Sequence, residues 1–280
     1  MSIFLCSISN VSSGNCPEDC AYCTQSVHYK TKVDTYKFKP IETIIKEAKY
    51  LKSFGMLGFC LVTSGRSLDD DKLDYIARAS YALKKEDLDL HLIACCGSAS
   101  LESLKYLKEH GVDSYNHNLE TAQSFFPRIC STHTWEERYQ TCEDSLRAGL
   151  GLCCGGIYGL GESFSQRIEF LKALRELSPH TISLNFYMPN PALPIETKVM
   201  DKKEALECVV LTHEFLPNSR LMISGGREAV FGEDQADLFR YGVNAIVLGN
   251  YLTTKGASPA RDIGMLKSYD LDIATSCHAM

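Results

Sequence analysis

Pro40-Ile-Glu-Thr-Ile-Ile-Lys-Glu-Ala-Lys-Tyr-Leu-Lys52 runs, after five intervening residues, into Gly58-Phe-Cys-Leu-Val-Thr63, and this pair decides the fold class. In the first stretch Pro40 suits a helical first turn. Ile41, Ile44, Ile45, Ala48 and Leu51 recur at the spacing of one helix face. The second stretch is a short apolar, strand-like run. Asp69, Asp70 and Asp71 then open the next helix, where carboxylates favour the positive end of the dipole. The same unit repeats outward in both directions. Strands are predicted at 4–9, 58–63, 91–95, 112–116, 150–155, 181–186, 220–224 and 244–248, each separated from the next by a helical segment. Eight strands with helical crossovers predict an α/β fold with a parallel sheet. Right-handed connections close it into a (βα)8 TIM-type barrel inside a helix ring, with an open doubly wound sheet as the alternative. No linker, solenoid repeat or low-complexity tract divides the chain, so residues 1–280 are expected to form one domain.

Composition narrows the function classes. A chain of 280 residues with 45% hydrophobic and 23% charged residues can bury a large core. A formal charge of −6 leaves no basic footprint for nucleic acid. No apolar run reaches the ~18–20 residues that span a bilayer, and residues 1–10 lack the basic start of a signal peptide. A cytoplasmic protein is expected. In that compartment disulfides do not persist, so thirteen cysteines point to metal or catalysis. Cys6, Cys130, Cys142, Cys208 and Cys277 fall outside any motif and read as small buried hydrophobes.

Cys16-Pro-Glu-Asp-Cys20-Ala-Tyr-Cys23 places three thiols on one short segment with no fourth partner nearby. Three thiolates can hold three corners of a cubic iron–sulfur cluster and leave one iron open for a ligand such as S-adenosylmethionine (SAM). An electron-transfer ferredoxin instead ties its irons to cysteine throughout. Structural zinc is the competing reading, but its usual CxxC pairs or histidines are absent.

Further polar and thiol residues gather at the carboxyl ends of the predicted strands, where such barrels keep their chemistry. Cys60, Cys95 and Cys153 come from three strands and are expected to meet across the interior as ligands of a second cluster. Cys96 and Cys154 adjoin two of them. Tyr115-Asn-His-Asn118 and Asn185 supply amides able to read a urea-like group. His117 is expected to be structural, and Glu120 with Arg138 a solvated pair unless a ligand claims them. Gly155-Gly-Ile-Tyr-Gly-Leu-Gly-Glu162 lacks the order of a dinucleotide loop. Ser224-Gly-Gly-Arg227 reads as a place where backbone approaches a ligand.

With Ser12-Ser-Gly-Asn-Cys-Pro-Glu-Asp-Cys-Ala-Tyr-Cys-Thr-Gln25, Tyr115-Asn-His-Asn-Leu-Glu-Thr121, Cys153-Cys-Gly-Gly-Ile-Tyr-Gly-Leu-Gly-Glu162 and Ser224-Gly-Gly-Arg-Glu228 in order along the chain, the sequence resembles the biotin synthases, a radical SAM family. The resemblance implies a (βα)8 barrel, a homodimer, and conversion of dethiobiotin to biotin by SAM-derived radicals, with sulfur drawn from an auxiliary cluster. It implies that Cys16, Cys20 and Cys23 hold a 4Fe–4S cluster. Tyr22 and Ile157 would border the adenine, Arg138 would meet SAM, and Glu120 would stand for the usual ribose-binding aspartate. Asn118 and Asn185 would hold the ureido ring, and Thr253 and Thr254 the carboxylate tail. A flavodoxin or ferredoxin is the implied reductant. The family's auxiliary 2Fe–2S centre uses three cysteines, matched by Cys60, Cys95 and Cys153, and an arginine. Here Met222 stands where that arginine is expected. A neutral thioether cannot replace the charge, which leaves adjacent Cys96 or Cys154 as the alternative ligand, or a cluster of another type. The rival readings are a radical SAM enzyme with another substrate, an iron–sulfur carrier without catalysis, and a zinc-stabilised barrel.

Overall fold

The computed structural model describes residues 2–277. Its strands are β1 (Ser2–Asn10), β2 (Gly58–Val62), β3 (His91–Cys95), β4 (Ser114–Asn116), β5 (Gly151–Cys153), β6 (Gly156–Tyr158), β7 (Thr181–Phe186), β8 (Arg220–Ile223), β9 (Ala245–Leu248) and β10 (Asp272–Ile273). The ladders between them are parallel, and β9 returns to β1 with Ala245 opposite Phe4 and Val247 opposite Cys6. β5 and β6 share one place in the ring, so the closed barrel has eight strand positions. β10 is added outside β1 at Ser2 and Ile3. The crossovers carry α1 (Ile41–Lys52), α2 (Asp70–Lys85), α3 (Leu101–Glu109), α4 (Trp135–Arg147), α5 (Phe164–Leu177), α6 (Lys202–Phe215), the short α7 (Arg227–Phe231) and α8 (Ala236–Arg240), and α9 (Pro259–Ser268). The barrel expected from the repeated unit is the fold observed.

Side-chain parity along each strand sorts the core into layers. On β2, Phe59 and Leu61 pack outward beneath the helices while Cys60 and Val62 face the barrel interior. On β8, Leu221 and Ile223 face out and Met222 faces in. The helices begin on local signals: the Asp69 side chain accepts from the Lys72 amide at the start of α2. Thr134 and Glu137 form a reciprocal capping box at the start of α4.

The strand predicted at 150–155 stops at Cys153, and β6 resumes beyond the predicted range at Gly156. The break has a steric cause. A Cβ on Gly155 would lie 1.9 Å from the Ser183 carbonyl oxygen, and one on Gly156 2.3 Å from that of Glu120. Glu120 enters at the break, its amide donating to the Gly155 carbonyl at 3.2 Å while its own carbonyl accepts from Ile157 at 2.8 Å. The chain after β4 is thereby stitched to the upper half of the fifth strand.

Candidate active site

The thiol loop follows β1 and is held by its own backbone. The Cys16 amide donates to the Gln25 carbonyl, Val27 donates to Cys16, and Ala21 donates to Ile129 on the loop before α4. Gly14 turns the chain at φ +75°, where a Cβ would meet the Thr35 hydroxyl at 2.6 Å. Glu18 and Asp19, the polar pair between the first two cysteines, are structural. Asp19 accepts from the amides of Ser131 and Thr132 at 2.9 and 3.2 Å, and Glu18 is bonded to Thr132 and His133. Burial would raise the Asp19 carboxyl, but the Ser131 hydroxyl and amide, with Cys130 and the Thr132 hydroxyl, hold it below the usual carboxylate range.

Cys130 departs from the passive role expected of it. Its sulfur lies 3.7 Å from Cys20 and 3.2 Å from His133 Nδ1. Cys20 donates to it, and that bond together with His133 lowers the Cys130 thiol while raising Cys20. Among the described residues, Cys20, Cys130 and His133 form the one thiol or imidazole group close enough to grip a single ion, with ligand atoms within 4.8 Å of one another. Cys16 and Cys23 stand outside that limit, so the three-cysteine motif is spread more widely than one tetrahedral zinc requires.

A cavity of about 390 Å³ opens at the carboxyl ends of the strands and reaches into the barrel. Cys23 and Tyr22 form one wall, with Asn118, Glu120 and Ile157 beside them. Cys60, Cys95 and Cys153 lie deeper, together with Met222. Asn185, Thr253 and Thr254 line it too. Of the residues singled out from sequence, Cys16, Cys20 and Arg138 lie behind the lining rather than on it.

Glu120 and Arg138 are not the solvated pair that charge alone suggests. Their side chains are 10% and 12% exposed, and Arg138 Nη2 reaches Glu120 Oε1 at 3.1 Å. Arg138 also donates to the Asn118 carbonyl at 2.6 Å. Burial raises the Glu120 carboxyl, opposed by the guanidinium. The residue holds φ +67°, a left-handed conformation uncommon outside glycine. His117 is buried with its Nε2 unpartnered, and burial and then Arg138 push its imidazole well below the ordinary range.

The two asparagines differ. Asn185 is already bonded on both sides, donating to the Gly156 carbonyl at 3.2 Å and accepting from the Gly225 amide at 2.9 Å. It therefore fixes both glycine segments where they border the cavity. Asn118 Oδ1 is buried without a partner, which is costly unless a ligand completes it. Thr253 bonds Thr24, next to Cys23, through their hydroxyls at 2.8 Å. The loop after β9 thus touches the thiol loop directly.

Sequence profiles agree with this arrangement. The Radical SAM superfamily matches residues 10–174, and the Biotin and Thiamin Synthesis associated domain matches residues 183–272. Curated biotin synthases of Helicobacter pylori and Helicobacter hepaticus are each 62% identical, over 279 and 276 residues. They cover 99% of this chain and 99% and 98% of the relatives' own lengths. The chain belongs to the biotin synthase family. A biotin synthase of Wolinella succinogenes is 61% identical over 276 residues, covering 99% of both chains. Among solved structures, methylornithine synthase superposes with a TM-score of 0.82 at 15% identity, over 98% of this chain and 84% of its own. The FeFe-hydrogenase maturase HydG from Carboxydothermus hydrogenoformans gives 0.83 at 18%, over 96% and 67%. At those identities the likeness is one of fold.

Proposed function

We infer that the protein is a radical SAM enzyme that forms biotin by inserting sulfur into dethiobiotin. One observation carries the reading: Cys23 of the first thiol set and Cys60, Cys95 and Cys153 of the second border one cavity. The cavity's volume is in the range of a small-molecule site. The donors fit the groups the family uses. Thiolates suit iron–sulfur clusters, neither set of three cysteines gathers within the 4.8 Å that a single ion requires, and the orphaned Asn118 oxygen awaits a donor. When bound, a 4Fe–4S cluster with SAM supplies radical chemistry at unactivated carbon, and an auxiliary cluster supplies sulfur.

The chain's own residues place the reactants. Cys16, Cys20 and Cys23 hold the first cluster, and Cys60, Cys95 and Cys153 the auxiliary one. Tyr22 and Ile157 border the adenine. Arg138 keeps Glu120 oriented toward the SAM side of the cavity. The ureido ring of dethiobiotin meets Asn118, with Asn185 holding the glycine backbone behind it, and Thr253 and Thr254 receive its carboxylate. Closure of the loop after β9 onto Thr24 excludes water that would divert a radical. The electron comes from a flavodoxin or ferredoxin. The reading also includes a cytoplasmic homodimer; among the described residues no helix is long and apolar enough to cross a membrane.

The full chain, reconstituted anaerobically with iron and sulfide and given SAM, dethiobiotin and dithionite, is expected to yield deoxyadenosine and biotin together. Deoxyadenosine without biotin would redirect the assignment to another substrate, and absence of both would overturn it.

A further inference from the structure

Three thiols make an incomplete donor set for the auxiliary centre, and Met222 does not bring the charge of the arginine it replaces. The barrel interior supplies another thiol. We propose that Cys6 is the fourth protein ligand of the auxiliary cluster, completing an all-thiolate set with Cys60, Cys95 and Cys153. The proposal rests on the reading above that those three cysteines hold such a cluster.

Parity decides among the candidates. Cys96 packs outward in the layer beneath the helices with Leu92 and Ala94. Cys154 also faces outward, its sulfur 3.8 Å from Cys142 on α4. Neither borders the cavity, so neither cysteine adjoining the expected ligands can serve. Cys6 does border it, and it packs in the interior layer with Cys60, Cys153 and Met222.

Its register is suitable as well. Cys6 lies opposite Gly58 on β2, and Cys60 is two residues further along on the same face. Cys95 lies opposite Val62, again two residues beyond Cys60. Each step is a diagonal of about 8 Å between Cα atoms, from strand spacing and rise. Gly58 leaves room for this arrangement: a Cβ there would fall 3.2 Å from the Cys6 sulfur and 2.8 Å from the Phe4 ring.

No three of these four sulfurs lie within 4.8 Å of one another, which disfavours a single ion and suits a polynuclear centre. Arg220, stacked over the Phe4 ring at 3.9 Å, places a cation beside the strand that carries Cys6. On ligation each thiol releases a proton to solvent and its sulfur lone pair goes to iron, with no change of oxidation state.

The test uses the full chain carrying Cys16→Ala, Cys20→Ala and Cys23→Ala, so that the auxiliary site alone binds iron. After anaerobic reconstitution, iron and acid-labile sulfide per chain and the Mössbauer spectrum are measured. Adding Cys6→Ala is expected to lower iron and sulfide at least twofold or to replace the spectrum, whereas adding Cys154→Ala leaves both unchanged. Unchanged iron, sulfide and spectrum in the Cys6→Ala chain would overturn the proposal alone. No cluster in the parent chain would overturn it together with the reading it rests on. Circular dichroism of the metal-free chains checks folding. If the Cys6 variant does not fold, the parent spectrum decides: all-sulfur iron sites support the proposal, and an iron with nitrogen or oxygen ligation refutes it.

Discussion

Cys23 stands at the junction of two demands, closing the three-thiol motif from behind while bordering the cavity that Cys60, Cys95 and Cys153 enter from below. The two sets are expected to separate by mutation. Cys60→Ala should retain SAM cleavage yet form no biotin; normal biotin output would remove Cys60 from the auxiliary site. The motif itself was readable from spacing, but the partners that hold it were not. Nothing in the spacing shows that Asp19 is bonded by Ser131 and Thr132, more than a hundred residues away. Its carboxyl is depressed by those bonds, so its contribution is present above the ordinary carboxylate pKa and is lost as pH falls below it. In the metal-free chain, Asp19→Asn should therefore lose stability near neutrality and show a flatter fall in melting temperature from about pH 5 to about pH 2. Parallel curves for the two proteins would contradict this. Cys6 reads from sequence only as a small buried hydrophobe, for a different reason. β1 is buried on both faces over Ile3–Cys6, so no polar alternation marks which side chains point inward.

At the level of elements, the strands were legible because a strand inside a helix-covered barrel is a short apolar run bounded by helical periodicity. The division of the fifth strand was not. It depends on the carbonyls of Ser183 and Glu120 approaching Gly155 and Gly156, and those neighbours are distant in sequence. Gly155→Ala forces a Cβ against fixed backbone and should destabilise the chain by about 3 kcal/mol or more, as judged by denaturant unfolding. A loss under about 1 kcal/mol would show that the junction can yield. The loop after β9 is similarly placed by contacts that sequence does not display. Glu228 on α7 accepts from the Tyr251 hydroxyl at 3.0 Å and the Ala257 amide at 3.0 Å, clamping the segment that carries Thr253 and Thr254.

For the whole molecule, the barrel brings Cys6, Cys23, Cys60, Cys95 and Cys153, scattered from the first strand to the fifth, around one cavity. The outward-facing Cys96 and Cys154 show that adjacency in sequence is a poor guide to that assembly, whereas strand parity is a good one. On the proposed reading, the substrate lies between a radical source and a sulfur source. The most direct test reconstitutes the full chain with sulfide enriched in a heavy isotope, removes unbound sulfide, and allows a single turnover with SAM and dethiobiotin. Mass spectrometry of the product should find the heavy isotope in biotin at the enrichment of the protein-bound sulfide, and biotin of natural sulfur composition would contradict the account.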